Sequence, residues 1–367
     1  MDSGRRPRLT PAIADVRRAV RTQLENLHNS GVSADSVAKP RKTGGTAGQS
    51  PEFRKGPLVL VALSGGPDSL ALAAATAFEA PRAGWRAGAA IVDHGLQPGS
   101  ADVAARVAEQ AQALGLDPVV VKTVTVESEG GPEAAARTAR YSALAECAVQ
   151  TGAAAVLLGH TLDDQAETVL LGLARGSGAT SLHGMSAVSP STGPGTATSE
   201  FAYLRPLLGI RRETTHQFCV DSELEPWNDP QNSDAAYARV RVRETVLPML
   251  ERELGPGIAE ALARTADQLR EDSDALDHFA EEMAEDLADL AESGISLAVG
   301  ALASNPPALR QRLIRLAVES EFHVSLSRAQ TLEVAKLVTD WHGQKPLDLP
   351  GIRVERQGGL LIFTATK

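Results

Sequence analysis

Cysteine is almost absent from this chain. Its 367 residues hold two, Cys147 and Cys219, far apart and in no CxxC pair. That excludes a disulfide framework and predicts a cytoplasmic protein. No apolar run is long enough to span a membrane, and the first residues lack a signal-peptide core. Aromatic residues make up only 4%. No internal repeat occurs. Positive charge is also in deficit, with a net charge of −10. Such a balance argues against indiscriminate nucleic-acid binding but leaves room for a local basic patch. What remains is a globular composition, 43% hydrophobic, with length enough for two domains.

The most informative stretch is Leu58 to Phe78, LVLVALSGGPDSLALAAATAF. Leu58 to Leu63 is an apolar run that fits a strand covered on both faces. Ser64, Gly65 and Gly66 follow. Pro67 suits the first helical position, Asp68 places a carboxylate in the first turn, and an Ala/Leu helix runs on from Ser69. Strand, glycine turn and helix together build an anion site. The glycines permit positive φ and close backbone approach, the helix start offers unpaired amides, and Ser64 and Ser69 add hydroxyls. No Lys-Ser/Thr follows the glycines, so this is not a Walker loop.

Before this stretch, Pro11 to Leu27 has a helical pattern with Ile13, Val16, Val20 and Leu24 on one face. Ser30 to Lys55 reads as a flexible linker. Residues 1–55 carry 11 Lys/Arg against 5 Asp/Glu. After it, Ala87 to Val92 reads as a second buried strand ending in Asp93 and His94, where doubly wound sheets place their ligands. A helix over Ala101 to Leu114 and a strand over Pro118 to Val126 come next. In Glu133 to Tyr141, the residues Glu133, Arg137 and Arg140 share helical spacing, and Glu133 can pair with Arg137. A fourth strand, Ala153 to Leu158, runs into GHTLDDQAET. That junction holds more polar groups than a helix cap requires. His160, Asp164 and Glu167 can face a metal–phosphate site there. Ser186 to Glu200 reads as flexible, Ile258 to Ser293 as a long charged helix or helix pair, and Pro307 to Glu319 and Arg328 to Trp341 as helices. Ile352 to Val354 and Leu360 to Thr364 read as a terminal hairpin.

Ser64-Gly65-Gly66-Pro67-Asp68-Ser69 resembles the SGGxDS motif of the PP-loop ATP pyrophosphatases. With VDHGL, EAAARTARY, GHTLDDQAET, RGSG and SLHGM following in order, the chain resembles the tRNA(Ile)-lysidine synthetases. Leu204-Arg205-Pro206-Leu207, Asp229-Pro230-Gln231-Asn232 and the Arg239, Arg241, Arg243 series extend the match to Pro248. Val240 stands where that family usually has Asn.

The resemblance implies an α/β fold: a doubly wound parallel sheet of the adenine nucleotide alpha hydrolase type, with a smaller, mostly helical C-terminal domain. Residues 1–56 would be an N-terminal helix and basic linker, 57–250 the catalytic domain, and 251–367 a tRNA-contacting domain. The implied reaction joins free lysine to C2 of cytidine 34 in the CAU anticodon of tRNA(Ile), using ATP and Mg2+. Ser64, Gly65, Gly66, Pro67, Asp68, Ser69, Asp93, His94 and His160 are the expected ATP contacts. Asp68 and Asp164 are the expected metal ligands, and Asp68, Glu133, Asp163 and Asp164 the expected catalytic carboxylates. Arg137, Arg205, Arg239, Arg241 and Arg243 are the expected substrate and tRNA contacts. Glu244, Glu251 and Glu253 are the alternative partners of the last three. A tRNA thiolase, an NAD synthetase-like enzyme and a non-catalytic nucleotide- or RNA-binding module are the other readings. The two cysteines supply neither a close pair nor three cluster ligands, which disfavours the thiolase. Oligomeric state stays open, a homodimer among the options.

Overall fold

The computed structural model describes residues 9–29, 56–95, 99–124, 132–176, 178–191, 201–229, 234–291 and 294–366. The expected linker at Ser30 to Lys55 lies outside them, as does most of Ser186 to Glu200. The chain forms two compact units, residues 1–266 and 267–367.

In chain order the elements up to residue 266 are α1 (Pro11–Asn29), β1 (Leu58–Ala62), α2 (Pro67–Glu79), β2 (Arg86–Asp93), α3 (Ser100–Ala113), β3 (Val119–Thr123), α4 (Pro132–Thr151), β4 (Ala153–Leu157), α5 (Leu162–Ala174), α6 (Ala179–Leu182), β5 (Val188–Pro190), β6 (Ala202–Leu204), α7 (Arg212–Asp221), α8 (Ala238–Arg241) and α9 (Leu247–Leu254), with the start of α10 (Ile258–Leu287). The six-stranded sheet runs β3-β2-β1-β4-β6-β5. All pairings are parallel except β5 with β6 at one edge. Every residue of β1 and β4 is buried, as unbroken apolar runs demand of central strands. Chain order reverses between β1 and β4, so their carboxyl ends open the crevice where ligands bind.

Helix α1 is a working part of this unit and not a loose extension. Ile13, Val16, Val20, Leu24 and Leu27 are buried in the main core beside α2 and α7. Each such burial contributes about 1.5–3 kcal/mol. Arg21 Nε donates to the buried Glu79 at 2.9 Å, fixing α1 to the end of α2.

In the second unit the chain leaves α10 for β7 (Ala288–Ala291) and β8 (Gly294–Ala298). Helices α11 (Val299–Ser304), α12 (Pro307–Phe322) and α13 (Arg328–Thr339) follow, then β9 (Leu347–Leu349), β10 (Ile352–Gln357) and β11 (Leu360–Ala365). The strands form an antiparallel sheet in the order β7-β8-β11-β10-β9. This corrects one expectation: the long helix stops at Leu287 and the chain turns to strand before Ser293. The expected terminal hairpin is present as β10 and β11, inside a five-stranded sheet, and helix outweighs strand in the unit as expected. Alternation along β10, with Ile352 and Val354 buried and Arg353 exposed, sets the face that packs on α12 and α13.

Candidate active site

The SGGPDS turn sits at the carboxyl end of central strand β1. Gly65 takes φ +86, a conformation open to glycine, and its carbonyl accepts the Trp227 N–H at 2.9 Å. Gly66 has φ −69 and ψ 163, an ordinary extended conformation, so only one of the two glycines uses positive φ. Ser69 ties the loop together. Its Oγ accepts the Ser64 N–H at 3.2 Å and donates to Gly66 O at 2.9 Å. The first-turn amides of α2 have no helical acceptors, the arrangement that suits an anion at a helix start.

Beside the loop lies a cavity of about 550 Å3 lined by residues that include Ser64, Asp93, His94, Arg140 and Trp227. The structure thus brings Asp93 and His94 to Ser64, as strand-end reasoning places them. Asp93 Oδ1 accepts the Gly95 N–H at 2.9 Å. Burial lowers the His94 pKa, helped by Arg140, so this imidazole is neutral near pH 7. His160 is pressed further, to about 3, by burial together with Arg140, Arg205 and Arg239, with Asp164 opposing. Its Nδ1 is buried with no partner among the described residues.

Within α4, the arginine that reaches the cavity is Arg140. Arg137, the expected contact, is exposed and stacks 5.1 Å from the Tyr141 ring centroid. Arg140 makes no hydrogen bond or ion pair with a carboxylate among the described residues. Its pKa is lowered by burial and by Arg137. A desolvated cation lining a cavity beside the phosphate loop is a natural anion anchor. The side chain of Glu133 lies outside the described residues.

The second half of the site is a charge hub. Thr161 and Asp164 form a capping box at the start of α5: Thr161 N–H donates to Asp164 Oδ2 at 2.8 Å, and Asp164 N–H donates back to Thr161 Oγ1 at 3.4 Å. Asp163 Oδ2 accepts the Arg212 N–H at 2.7 Å, capping α7 from outside, and its carboxylate pairs with Arg211 at 3.2 Å. Glu167 has no exposed surface. It holds Arg212 at 3.0 Å, Arg239 at 2.8 Å and Arg243 at 2.8 Å. Arg212 also meets Asp164 at 3.0 Å and Asp68 at 3.7 Å. Asp68 further accepts a short hydrogen bond from the Thr215 hydroxyl. Asp68, Asp163, Asp164 and Glu167 therefore face Arg211, Arg212, Arg239 and Arg243, with Glu260 sharing Arg211 at 2.8 Å.

The carboxylates differ in proton affinity. Burial raises the Asp68 pKa, and Thr215 and Arg212 offset this only in part. Burial also presses Asp164 upward, but Arg212, Arg239 and the Thr161 N–H outweigh it and leave the pKa below the usual range.

Three of the four arginines expected at RNA are engaged elsewhere. Arg205 is 8% exposed, and its Nη1 donates to Ser186 O at 2.9 Å and Ser189 Oγ at 3.0 Å. Arg239 and Arg243 serve Glu167, not the alternative partners Glu244, Glu251 and Glu253. These placements correct the expectation of a free arginine patch: the guanidiniums are where buried carboxylates need them. Arg241 alone is exposed, held to Ala235 O and Ala236 O at 2.7 Å. Val240 is buried and offers no polar contact. Sequence reasoning passed over Arg212 and Thr215, which lie one turn apart on α7 and both reach Asp68. Their only signal is the Arg211-Arg212 pair opening a helix after the RPLL segment.

The PP-loop domain family matches residues 41–250, and the TilS substrate binding domain matches residues 297–361. The chain is similar to the tRNA(Ile)-lysidine synthase of Leifsonia xyli subsp. xyli, 65% identical over 84% of this chain and 90% of that one. It is similar to that of Streptomyces coelicolor, 48% identical over 96% and 98%. Among solved structures, a U34-tRNA thiolase from Methanococcus maripaludis aligns with TM-score 0.51 at 18% identity, covering 71% of this chain and 80% of that one, a likeness of fold alone.

Proposed function

The chain belongs to the tRNA(Ile)-lysidine synthase family, and from that membership we propose that it joins free lysine to C2 of cytidine 34 in the CAU anticodon of tRNA(Ile), using ATP. One observation carries the reading within the chain: an SGGPDS loop at the central strand's carboxyl end faces a carboxylate–arginine hub through Asp68. The chemistry has two halves. Cytosine O2 attacks the α-phosphorus of ATP, and pyrophosphate leaves. The lysine ε-amine then attacks C2, the C2–O2 bond breaks, and AMP carries the oxygen away.

The residues suit these steps. Loop amides, the Ser64 and Ser69 hydroxyls and Arg140 stabilise charge that grows on the departing pyrophosphate. Neutral His94 and His160 offer hydrogen bonds without further charge. The amine must shed a proton, which costs about 4–5 kcal/mol near pH 7 from an ordinary ammonium. Asp164, with its depressed pKa, steadies an ammonium but is a weak proton acceptor.

Mg2+ fits the donors. Asp68 and Asp164 bring carboxylate oxygens to the same guanidinium beside the phosphate loop, and Mg2+ favours oxygen ligands with retained water. Among the described residues no group of three or more His, Cys, Asp or Glu forms a ready cage. The remaining positions would fall to phosphate and water oxygens. When bound, the metal would screen phosphate charge.

The Arg241 guanidinium is the exposed RNA-backbone contact of this reading. Among the described residues no helix is long and apolar enough to cross a membrane. The test is incubation with ATP, labelled lysine and tRNA(Ile) bearing a CAU anticodon. Label in the RNA, with one AMP per lysine, is expected. AMP without labelled RNA would overturn the assignment.

A further inference from the structure

The chain has three tryptophans. Trp85 is buried and Trp227 lines the cavity beside the phosphate loop. Trp341, just past the end of α13, is 38% exposed. Its loop is cross-braced. His342 Nδ1 lies 2.8 Å from Asp340 O, the Gln344 amide donates to the same carbonyl at 2.8 Å, and His342 N–H donates to Gln344 Oε1 at 2.9 Å. The indole is thus presented from a pre-set turn, which reduces the ordering cost of any contact it makes.

A cation backs the ring. The Arg356 guanidinium lies 5.1 Å from the Trp341 ring centroid. Its Nη1 donates to Leu337 O at 2.9 Å, in the last turn of α13, which fixes the guanidinium. Its Nε is buried without an acceptor among the described residues. Exposed His342 and Lys345 flank the ring in sequence. Residues 297–361 carry eight Lys/Arg against six Asp/Glu, a positive stretch in a chain of net charge −10.

A held, exposed indole over an arginine, with His342 and Lys345 beside it in sequence, suits a flat, electron-rich group attached to a polyanion. We propose that Trp341, backed by Arg356, is a stacking platform for an unpaired base of the tRNA substrate. The proposal rests on the reading of the chain as a tRNA-modifying enzyme. Aromatic–base stacking is tolerant of sequence and needs the base out of a duplex. A ring that served only to cover the end of α13 would be replaceable by any apolar side chain of similar reach.

The test uses the full chain and three variants: Trp341→Ala, Trp341→Leu and Trp341→Phe. Binding is measured against tRNA(Ile) with a CAU anticodon and against a blunt RNA duplex, with melting temperature as a control. Loss of one stacked base should weaken tRNA binding roughly 5- to 100-fold in Trp341→Ala. Trp341→Leu should behave like Trp341→Ala, Trp341→Phe should recover part of the affinity, and duplex binding should not move. Leucine keeps the apolar cover, so a folded Trp341→Leu variant decides the matter even where alanine unfolds the unit. Wild-type tRNA affinity in Trp341→Leu would overturn the platform. So would equal losses on tRNA and duplex, or a changed sedimentation coefficient of the free protein without a change in RNA binding. A wild-type chain that binds tRNA through Trp341 yet incorporates no lysine would sink the proposed reaction and leave the platform standing.

Discussion

Glu167→Gln is the perturbation that the hub makes most consequential. Glutamine keeps the shape and removes the charge. Three guanidiniums then face a neutral amide inside the unit: Arg212, Arg239 and Arg243, whose side chains are 17%, 29% and 25% exposed. Each retains something. Arg212 and Arg243 still meet Asp164, and Arg239 still donates to Asp164 O at 3.2 Å and Thr168 Oγ1 at 3.0 Å. Breaking a buried ion pair from one side costs about 3–5 kcal/mol, chiefly because the partner charge is stranded. For a unit of this size that lowers the melting temperature by roughly 6–15 °C. Differential scanning calorimetry or a urea titration would read it. A second variant, Arg243→Met, gives a cycle with Glu167→Gln, and a coupling of roughly 1–3 kcal/mol is expected for groups in one network. If Glu167→Gln melts within about 2 °C of wild type, equivalent to less than about 1 kcal/mol, the hub is not holding the unit together. A loss of lysine incorporation at unchanged stability would then assign Glu167 to substrate alone.

Three further outcomes follow from particular distances and angles. Gly66→Val should fold, because Gly66 has φ −69 and an added Cβ meets only Ser64 Oγ, at 3.8 Å. The branched side chain would crowd the path of pyrophosphate, so AMP release should fall below detection at wild-type melting temperature, and wild-type AMP release would remove the loop from the mechanism. His160, with a folded pKa of about 3 against an ordinary 6.5, binds its proton in the unfolded chain first. Stability is complete above pH 6.5 and declines as pH falls from there toward 3, by at most about 1.4 kcal/mol per pH unit from this group; His160→Gln should flatten the urea midpoint between pH 7 and 5, and an unchanged slope would refute it. Arg241→Ala should reduce the salt slope of tRNA binding by roughly 0.7–0.9 without changing the melting temperature, whereas Arg205→Met should lower the melting temperature and leave the slope alone; the reverse pattern would put the phosphate contact at Arg205.

The catalytic unit was legible where one local rule decides. An unbroken apolar run must be a covered strand, and Leu58–Ala62 and Ala153–Leu157 are wholly buried. Glycine, proline and aspartate in succession start a helix, and α2 begins at Pro67. Partners were less legible, because pairing depends on which distant segments meet. The spacing of Arg239, Arg241 and Arg243 says that the first and last share a helix face and that Arg241 points away from them. It does not say that Glu167, more than seventy residues earlier, lies beneath two of them. Arg137 and Arg140 differ only in helical phase, and the choice between them falls to the packing of α4 on the sheet. In the second unit two strands of the sheet were missed for another reason. Ala288–Ala291 and Gly294–Ala298 are short, and their apolar residues also fit helix, so the strand order only emerges once β11 supplies a partner.

The hub explains why segments so far apart in the chain act together. GHTLDDQAET places Asp163, Asp164 and Glu167 within two turns of α5, a cluster of like charge that would repel itself and resist burial. It is stable only when Arg211 and Arg212 arrive from α7 and Arg239 and Arg243 from the α8 region. Each carboxylate is then paired, and burial of Glu167 becomes tolerable. The same pairing brings Arg212 and Thr215 to Asp68, on the helix that follows the phosphate loop. Loop and acidic motif are therefore joined through α7 and do not rely on adjacency in the sheet alone. Removing Arg212 would expose two faults at once: an unpaired charge on α5 and an unsupported carboxylate at the loop. A lysine in its place could keep one of these contacts but not span them, since a point charge cannot fork between Asp68 and Asp164 as a guanidinium does.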